Sequence, residues 1–316
     1  MIYDIIGDIH GQADKLKGLL VQLGYVDSGE YFVPPPNHKA VFIGDLIDRG
    51  KQEIQTLEIA FAMLDNGVAY AVMGNHEYNA LAFATLDENN AERYLREHKP
   101  SNIAQHQAFI DEVGFDTQLH HYWLSRFYQL PLWLALHEVG FVHACWDSKA
   151  MAVLQPLLTD NNCLTYPALQ ATAQKGSPEY EALERVLKGV ETRLPDSYFY
   201  LDKEGTKRHN MRVQWWLAHS EKPLSGQRIH DIARATPKDL GTIPPDTLAE
   251  EIDFDFDNQK PVFIGHYWLT GVPAILSDKV VCVDYSAAVD SGFLTAYQFD
   301  TENPMLSDDN FVQFKG

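Results

Sequence analysis

The chain has 316 residues, 45% hydrophobic and 22% charged, enough to bury a sizeable core as one large domain, and this composition excludes wholesale disorder. Its 25 Lys and Arg stand against 44 Asp and Glu, a formal charge of −19, which argues against a broad cationic surface for extended nucleic acid. An acidic protein still handles phosphates where bound metal ions supply positive charge locally. Cys145, Cys163 and Cys282 are odd in number and scattered, which fits reduced thiols in a cytosolic protein better than a disulfide frame. Asp4 and Asp8 stand where a targeting segment would be basic, and the longest apolar region, Leu130–Leu136, is too short to cross a bilayer. The expectation is a cytoplasmic protein without a membrane segment.

In chain order, "YDIIGDIHG" (Tyr3–Gly11) reads as a strand that runs into a glycine and then presents Asp8 and His10. A helical pattern follows at Ala13–Leu23, and the prolines 34–36 mark an extended loop. "AVFIGDLIDRG" (Ala40–Gly50) repeats the strand–glycine–carboxylate ending. Ile54–Leu64 is a second helix, with apolar residues at Ile54, Leu57, Ala60, Phe61 and Leu64, and "AYAVMGNHE" (Ala69–Glu77) a third strand. Residues 79–130 read as a polar helical insertion. "GFVHACWD" (Gly140–Asp147), "PVFIGHY" (Pro261–Tyr267) and "VVCVDYSA" (Val280–Ala287) complete six strand-like runs. Between them residues 151–260 form a less regular insertion. It holds a helix at Pro178–Val190, a turn-like Leu201–Asn210, a core pair Trp215–Trp216 and an acidic solvated turn at Glu250–Asn258. Continuous Val/Ile/Phe runs alternating with helices read as βαβ units, whose ligands gather beyond the carboxyl ends of the strands. The whole chain is taken as one domain, 1–316.

The polar residues at those strand ends are Asp8, His10, Asp45, Asn75, His143 and His266. Oxygen and imidazole donors without thiolate suit a hard or borderline divalent ion. A shared carboxylate is needed to bridge two cations ~4 Å apart. Asp45, in the middle of the set, is the natural bridge, with Asp8 and His10 on one metal and Asn75, His143 and His266 on the other. Each residue alone is weak evidence, since Asp caps helices and His often packs in cores. Five repeats of the same strand–glycine–ligand context are not explained by capping.

"GDIHG" (Gly7–Gly11), "GDLIDRG" (Gly44–Gly50) and "GNHE" (Gly74–Glu77) resemble the signature blocks of the calcineurin-like metallophosphoesterases. The resemblance is strongest to the branch that holds serine/threonine phosphoprotein phosphatases and bacterial diadenosine-tetraphosphatase-like enzymes. "FVHACW" (Phe141–Trp146) and "GHYW" (Gly265–Trp268) are looser matches: Ala144 and Cys145 replace two glycines, and Trp268 replaces a second histidine. The resemblance implies a four-layer α/β/β/α sandwich of mixed sheets and two divalent ions, Mn²⁺ first and Fe²⁺, Zn²⁺, Ni²⁺ or Co²⁺ as alternatives. It also implies a phosphatase in which a metal-bridging hydroxide attacks phosphorus in line. Arg49 would neutralise the phosphoryl oxygens, its planar fork holding two at once. His76 would protonate the leaving oxygen, and Asp48 would orient His76 and raise its pKa. A second phosphate-binding arginine is expected between the last two ligand histidines, and Arg212 is chosen among six candidates there. Asp284 would support the histidines; Glu77 is expected to pair with a cation, and His98, His106, His120 and His121 to lie on a helical surface.

The leading expectation is hydrolysis of phosphomonoesters, on a phosphoprotein or a small phosphorylated metabolite. The alternatives are a symmetrical dinucleoside polyphosphate hydrolase and a metal-bound scaffold without catalysis. The intact His76, Asp48 and Arg49 count against the scaffold.

Overall fold

The computed structural model describes residues 1–196, 198–201, 207–218, 223–234, 240–256 and 259–316. Ile2–Ile6 runs parallel to His38–Phe42, which runs parallel to Ala69–Ala71. In register, Ile6 lies beside Phe42 and Phe42 beside Ala71, so all three strands finish level. The loops that follow carry Asp8, Asp45 and Asn75 and therefore leave the sheet on one side. Phe293–Asp300 pairs antiparallel with Ile2–Ile6 and carries Asp284–Tyr285 and Phe311–Phe314 along its length. A second sheet orders Val280–Cys282, Val262–Ile264, Val139–Val142 and Trp133–Leu136, the first three parallel and the last antiparallel.

The two-residue period of a strand sorts the side chains into layers. Tyr3, Ile5, Val41 and Ile43 meet Phe141, Phe263, Val281 and Val283 in a dry seam between the sheets. Ile6, Ala40 and Phe42 project the other way, into Leu16, Leu19 and Leu20 of the helix Ala13–Gln22 and Leu57 and Ala60 of the helix Glu53–Asp65. Val142, Ile264 and Cys282 pack outward in the cluster that holds Leu183, Val186 and Leu187 of the helix Pro178–Lys188. That last helix starts where Ser177 accepts the Tyr180 N–H at 3.0 Å and Pro178 sits in the first turn. The result is the four-layer α/β/β/α sandwich of mixed sheets.

All six strand-like runs hold strands, and both early helices form within a residue or two of expectation. Strands outside these runs escaped, and two of them matter most to the main sheets. Phe293–Asp300 is the longest strand described and sits beside Ile2–Ile6, and Trp133–Leu136 edges the second sheet. Trp215 and Trp216 are buried, and Trp215 Nε1 donates to the Ala144 carbonyl at 3.0 Å, a core role. The triple proline leads into a turn at Pro36–Asn37. Within residues 79–130 the helix Asn75–Ala84 continues into a hairpin (Leu86–Asp87 with Asn90–Tyr94) and the helices Pro100–Val113 and Gln118–Phe127. Tyr200–Leu201 pairs with Lys207–Arg208, while residues 202–206 of the expected turn lie outside the described residues. In the acidic stretch Asp253 and Asp255 are exposed and Phe256 is buried; residues 257–258 lie outside the description. Among the described residues no helix is long and apolar enough to cross a membrane.

Candidate metal centre

The loop around Asp45 organises everything else. Ile9 N and His10 N both donate to the Asp45 carbonyl, at 3.0 and 2.9 Å, which fastens the Gly7–Gly11 loop to it. On the other side Gly74 approaches so closely that a Cβ there would lie 2.2 Å from Asp45 N and Oδ1, and only glycine fits. The helix Asn75–Ala84 begins at this contact, and its His76 N–H donates to Asp45 Oδ1 at 3.0 Å. A helix N-terminus aimed at a carboxylate favours its ionised form.

Four histidines surround that carboxylate. Asp45 Oδ2 lies 3.8 Å from His10 Nε2, 3.9 Å from His76 Nε2 and 3.4 Å from His143 Nε2. His10, Asp45 and His76 form one group of donor atoms within 4.8 Å of each other; Asp45, His143 and His266 form another, with Asp45 common to both. His10 Nδ1 lies 2.9 Å from the Ile47 carbonyl and His143 Nδ1 2.7 Å from that of Ile43, the residues two on either side of Asp45. These contacts set Nδ1 of each ring against a carbonyl and turn each Nε2 inward. Asn75 Oδ1 is 3.1 Å from His143 Nε2. Asp8 lies outside both groups, its two oxygens accepting the His266 N–H at 3.2 and 3.1 Å.

The residues present fit a bound cation on their own evidence. Among the described residues His10 Nε2 is buried without a hydrogen-bond partner, a costly arrangement unless something else takes the lone pair. Burial, with the charge of His76 beside it, pushes His10 down to about 3, so that lone pair is free. Burial, and then the nearby Asp284 and Asp45 charges, push Asp8 well above the usual carboxylate range, an accumulation of negative charge that a cation would relieve. The backbone is strained as well: His10, Asp45, Asp48, Arg49, His266 and Trp268 hold φ of 51, 48, 70, 78, 70 and 51°, in the left-handed region. Clustering of such conformations marks functional loops.

Beside this centre, His76 Nδ1 lies 2.6 Å from Asp48 Oδ2, and Asp48 Oδ1 lies 2.9 Å from His106 Nδ1. Burial would raise Asp48, but its bonds to His106 and His76 outweigh that and hold it at about 2. Burial would likewise lower His76, yet Asp45 and Asp48 together push it up. Arg49 lies over the face of Trp268, 3.7 Å from the ring centroid. Trp268, placed where it offers no metal ligand, thus aims the guanidinium. Asp284 Oδ2 accepts the Trp268 N–H at 2.6 Å and fixes that loop. Arg212 Nη1 is 3.1 Å from His266 Nε2.

Two expectations need correction. Glu77 forms no ion pair among the described residues: its carboxylate accepts the N–H groups of Gly74 and Asp45 at 2.9 Å, Leu46 at 2.8 Å and Ile47 at 3.3 Å. Glutamate at the third position of a helix reaches back to its cap, and here it reaches the ligand loop too. Nor are the four histidines a surface set. His106 and His120 are buried and His98 stacks between Phe83 and Tyr94, while His121 is exposed beside Asp116. The role of His106 left no mark in the sequence, because nothing local ties residue 106 to residue 48. Arg96, which lines the cavity over the centre, was also missed. The Glu77 network makes a stability prediction. Glu77→Ala leaves four buried donors without an acceptor and lowers unfolding free energy by more than about 3 kcal/mol in denaturant titrations, whereas Glu77→Gln, which retains an acceptor, costs less.

A four-layer sandwich that gathers carboxylates and imidazoles at its strand ends defines the metallophosphoesterase class. Residues 1–149 match the family described as calcineurin-like phosphoesterase. It is 42% identical over 76 residues to an asymmetrical bis(5'-nucleosyl)-tetraphosphatase, PrpE, of Anoxybacillus flavithermus, covering 24% of this chain and 31% of that protein. A protein of the same name from Oceanobacillus iheyensis is 26% identical over 145 residues, 46% of this chain and 55% of the relative. The chain therefore spans a third to about half the length of these curated relatives. Among solved structures, a serine/threonine phosphatase from Saccharomyces cerevisiae superposes with a TM-score of 0.51 at 14% identity, covering 100% of this chain and 80% of that one, a likeness of fold.

Proposed function

We propose that this single-domain chain is a cytoplasmic phosphoesterase working with two divalent ions, Mn²⁺ first among them, and cleaving a P–O bond in a phosphomonoester. The observation that carries the reading is the Asp45 carboxylate lying between two separate groups of histidines. Asp45 would be shared, with Asp8 and His10 toward one ion and Asn75, His143 and His266 toward the other. When bound, the ions would lower the pKa of water toward neutrality and offset phosphoryl charge.

The chain's own groups do the rest. Arg49, aimed by Trp268, and Arg212, beside His266, line one cavity of about 280 Å³ with Asp45, Asn75 and His76. Both guanidiniums are placed to hold equatorial oxygens of a phosphoryl group. His76 gives Nδ1–H to Asp48, so Nε2 is the atom that faces the cavity and holds the proton for the leaving oxygen. Against the lowering effect of burial, Asp45 and Asp48 raise the His76 pKa, which favours the protonated form. His106 grips the other oxygen of Asp48 and fixes its plane, a positioning role.

A second reading, hydrolysis of a dinucleoside polyphosphate, draws support from the names of the two relatives. Those names specify asymmetrical cleavage, whereas the alternative weighed from the sequence is symmetrical cleavage. The first test is metal dependence. Protein stripped with a chelator is expected to lose p-nitrophenyl phosphate hydrolysis and to regain it with Mn²⁺. Equal rates with and without metal would remove the proposal.

A further inference from the structure

The helix Glu53–Asp65 begins without a cap of its own, since the Gln52 side chain makes no hydrogen bond to its first turn. Its first two N–H groups are met from far along the chain. Glu112 Oε1 accepts the Glu53 N–H at 2.9 Å and Glu112 Oε2 the Ile54 N–H at 3.0 Å, across 59 and 58 residues. The first N–H groups of a helix have no partner within it, and a carboxylate set over them also meets the positive end of the dipole. A two-pronged cap brought from another helix thus fixes where this one starts.

The residue that starts it is Glu53, which is fully buried. Its Oε2 accepts the Asp48 N–H at 2.7 Å, and its Oε1 is wedged against Gly11, where a Cβ would lie 2.2 Å away. Asp48 and Arg49 hold φ of 70 and 78°, a left-handed pair that persists only where the surroundings dictate it. The bond from Glu53 is one such constraint. Burial, and then the charge of Asp48, push Glu53 up to about 8, so near neutrality it sets no second negative charge beside Asp48. Glu112 belongs to the helix Pro100–Val113, which also carries His106, the group that grips Asp48 Oδ1. The two side chains stand six residues apart, about 9 Å along the axis. They pin one helix both to the backbone support of Asp48 and to its carboxylate. Of that helix only His106, Phe109 and Val113 are buried, while Ser101, Ala104 and Ala108 line an open groove of about 2220 Å³. Few packing contacts hold it in place, and the two polar anchors count for more.

We infer that Glu112 is a positioning residue for the proton donor His76: by capping the helix Glu53–Asp65 from the helix Pro100–Val113, it holds the Glu53 carboxyl under Asp48 and His106 against the far oxygen of Asp48. The inference rests on the proposed phosphoesterase reading for the role of His76, and on geometry alone for the contacts. Glu112 touches neither the cavity over the metal centre nor His76. Its effect passes through Asp48, whose Oδ2 meets His76 Nδ1 at 2.6 Å. Loss of the cap frees the start of one helix and the end of another, and both movements slacken that bond.

The test has one readout without turnover and one with it. In full-length protein carrying ¹⁵N-histidine and loaded with diamagnetic Zn²⁺, the His76 Nδ1 proton is identified by its loss in His76→Asn. A short bond to an ionised acceptor places it far downfield in the wild type. Glu112→Ala is expected to shift it upfield and to speed its exchange with water. With Mn²⁺-loaded protein the same variant should lower kcat on an alkyl phosphate by about tenfold, the low end for an outer partner of a working side chain, with KM unchanged and a smaller loss on p-nitrophenyl phosphate. Glu112→Gln keeps one acceptor and should recover part of both effects; it carries the test if Glu112→Ala does not fold. Thr165→Ala removes the side chain that caps the helix Tyr166–Thr172, and should lower Tm without moving the resonance or the ratio of the two kcat values. A folded Glu112→Ala variant with the wild-type resonance overturns the inference, as does an equal fall in kcat on both esters. If the resonance moves while the wild type hydrolyses neither ester, the positioning contact stands and the phosphoesterase reading falls.

Discussion

His76→Asn is expected to lower kcat by about 10²–10⁴-fold on an alkyl phosphate and much less on p-nitrophenyl phosphate. The difference follows from what the imidazole is placed to do. Nδ1 is committed to Asp48 at 2.6 Å, so the proton that can reach substrate is on Nε2. An alkoxide needs that proton as the bond breaks; p-nitrophenolate, already a stable anion, hardly does. Asn keeps a group that can bond Asp48 but offers no transferable proton. The measurement is kcat for a series of leaving groups. In the variant the plot of log kcat against leaving-group pKa should steepen, while KM changes little. His106→Asn should move the same plot in the same direction by a smaller amount, because it loosens Asp48 and leaves His76 in place. A parallel downward shift for every leaving group would instead mean that His76 serves the binding of metal or phosphate, which its 3.9 Å approach to Asp45 also permits.

Much of the fold was legible because the buried strands announce themselves. Tyr3–Ile6, Val41–Ile43 and Val262–Ile264 are covered on both faces, and continuous apolar runs are the direct imprint of that environment. The ligand positions were legible for a related reason: a strand that ends in glycine and then turns through a left-handed residue leaves a short, fixed signature. Gly44 has φ of +87° and Asp45 of +48°. Phe293–Asp300 carries no such ending, and its polar Thr295 and Gln298 broke the apolar run, so a strand central to the first sheet went unread. What the sequence could not convey are contacts between segments of unrelated periodicity. His106 meets Asp48 across 58 residues, and Glu77 closes on Asp45 across 32. Arg96 likewise looks like any other surface arginine until the helix bearing Asn79 is placed under it. These side chains act through the fold, and only the fold exposes them.

Asp45→Asn is expected to cost the most, about 10³-fold or more in kcat/KM, since a metal-assisted step is worth several kcal/mol and each 1.36 kcal/mol is tenfold. The amide is nearly isosteric and still accepts the His76 N–H through Oδ1, so the fold should persist. What disappears is the one negative charge that both histidine groups share. Metal binding reports this without any turnover. In wild-type protein Mn²⁺ at 100 times its Kd should stabilise the native state by about 2.7 kcal/mol, visible as a rise in Tm. The variant should show almost none. Proton release gives a second signature. Burial pushes the His143 imidazole down, but Asp45 beside it more than compensates and the group is held at about 10, so metal-free protein at pH 7.5 carries a proton there. A metal must displace that proton to use the Nε2 lone pair. Calorimetric titration of wild type in buffers of different ionisation enthalpy should therefore reveal proton release on Mn²⁺ binding. In Asp45→Asn the charge that raised His143 is gone, its pKa falls, and whatever weak binding persists should release fewer protons. If the variant instead takes up two ions with undiminished affinity, Asp45 is not the group they share, and the dinuclear reading fails with it.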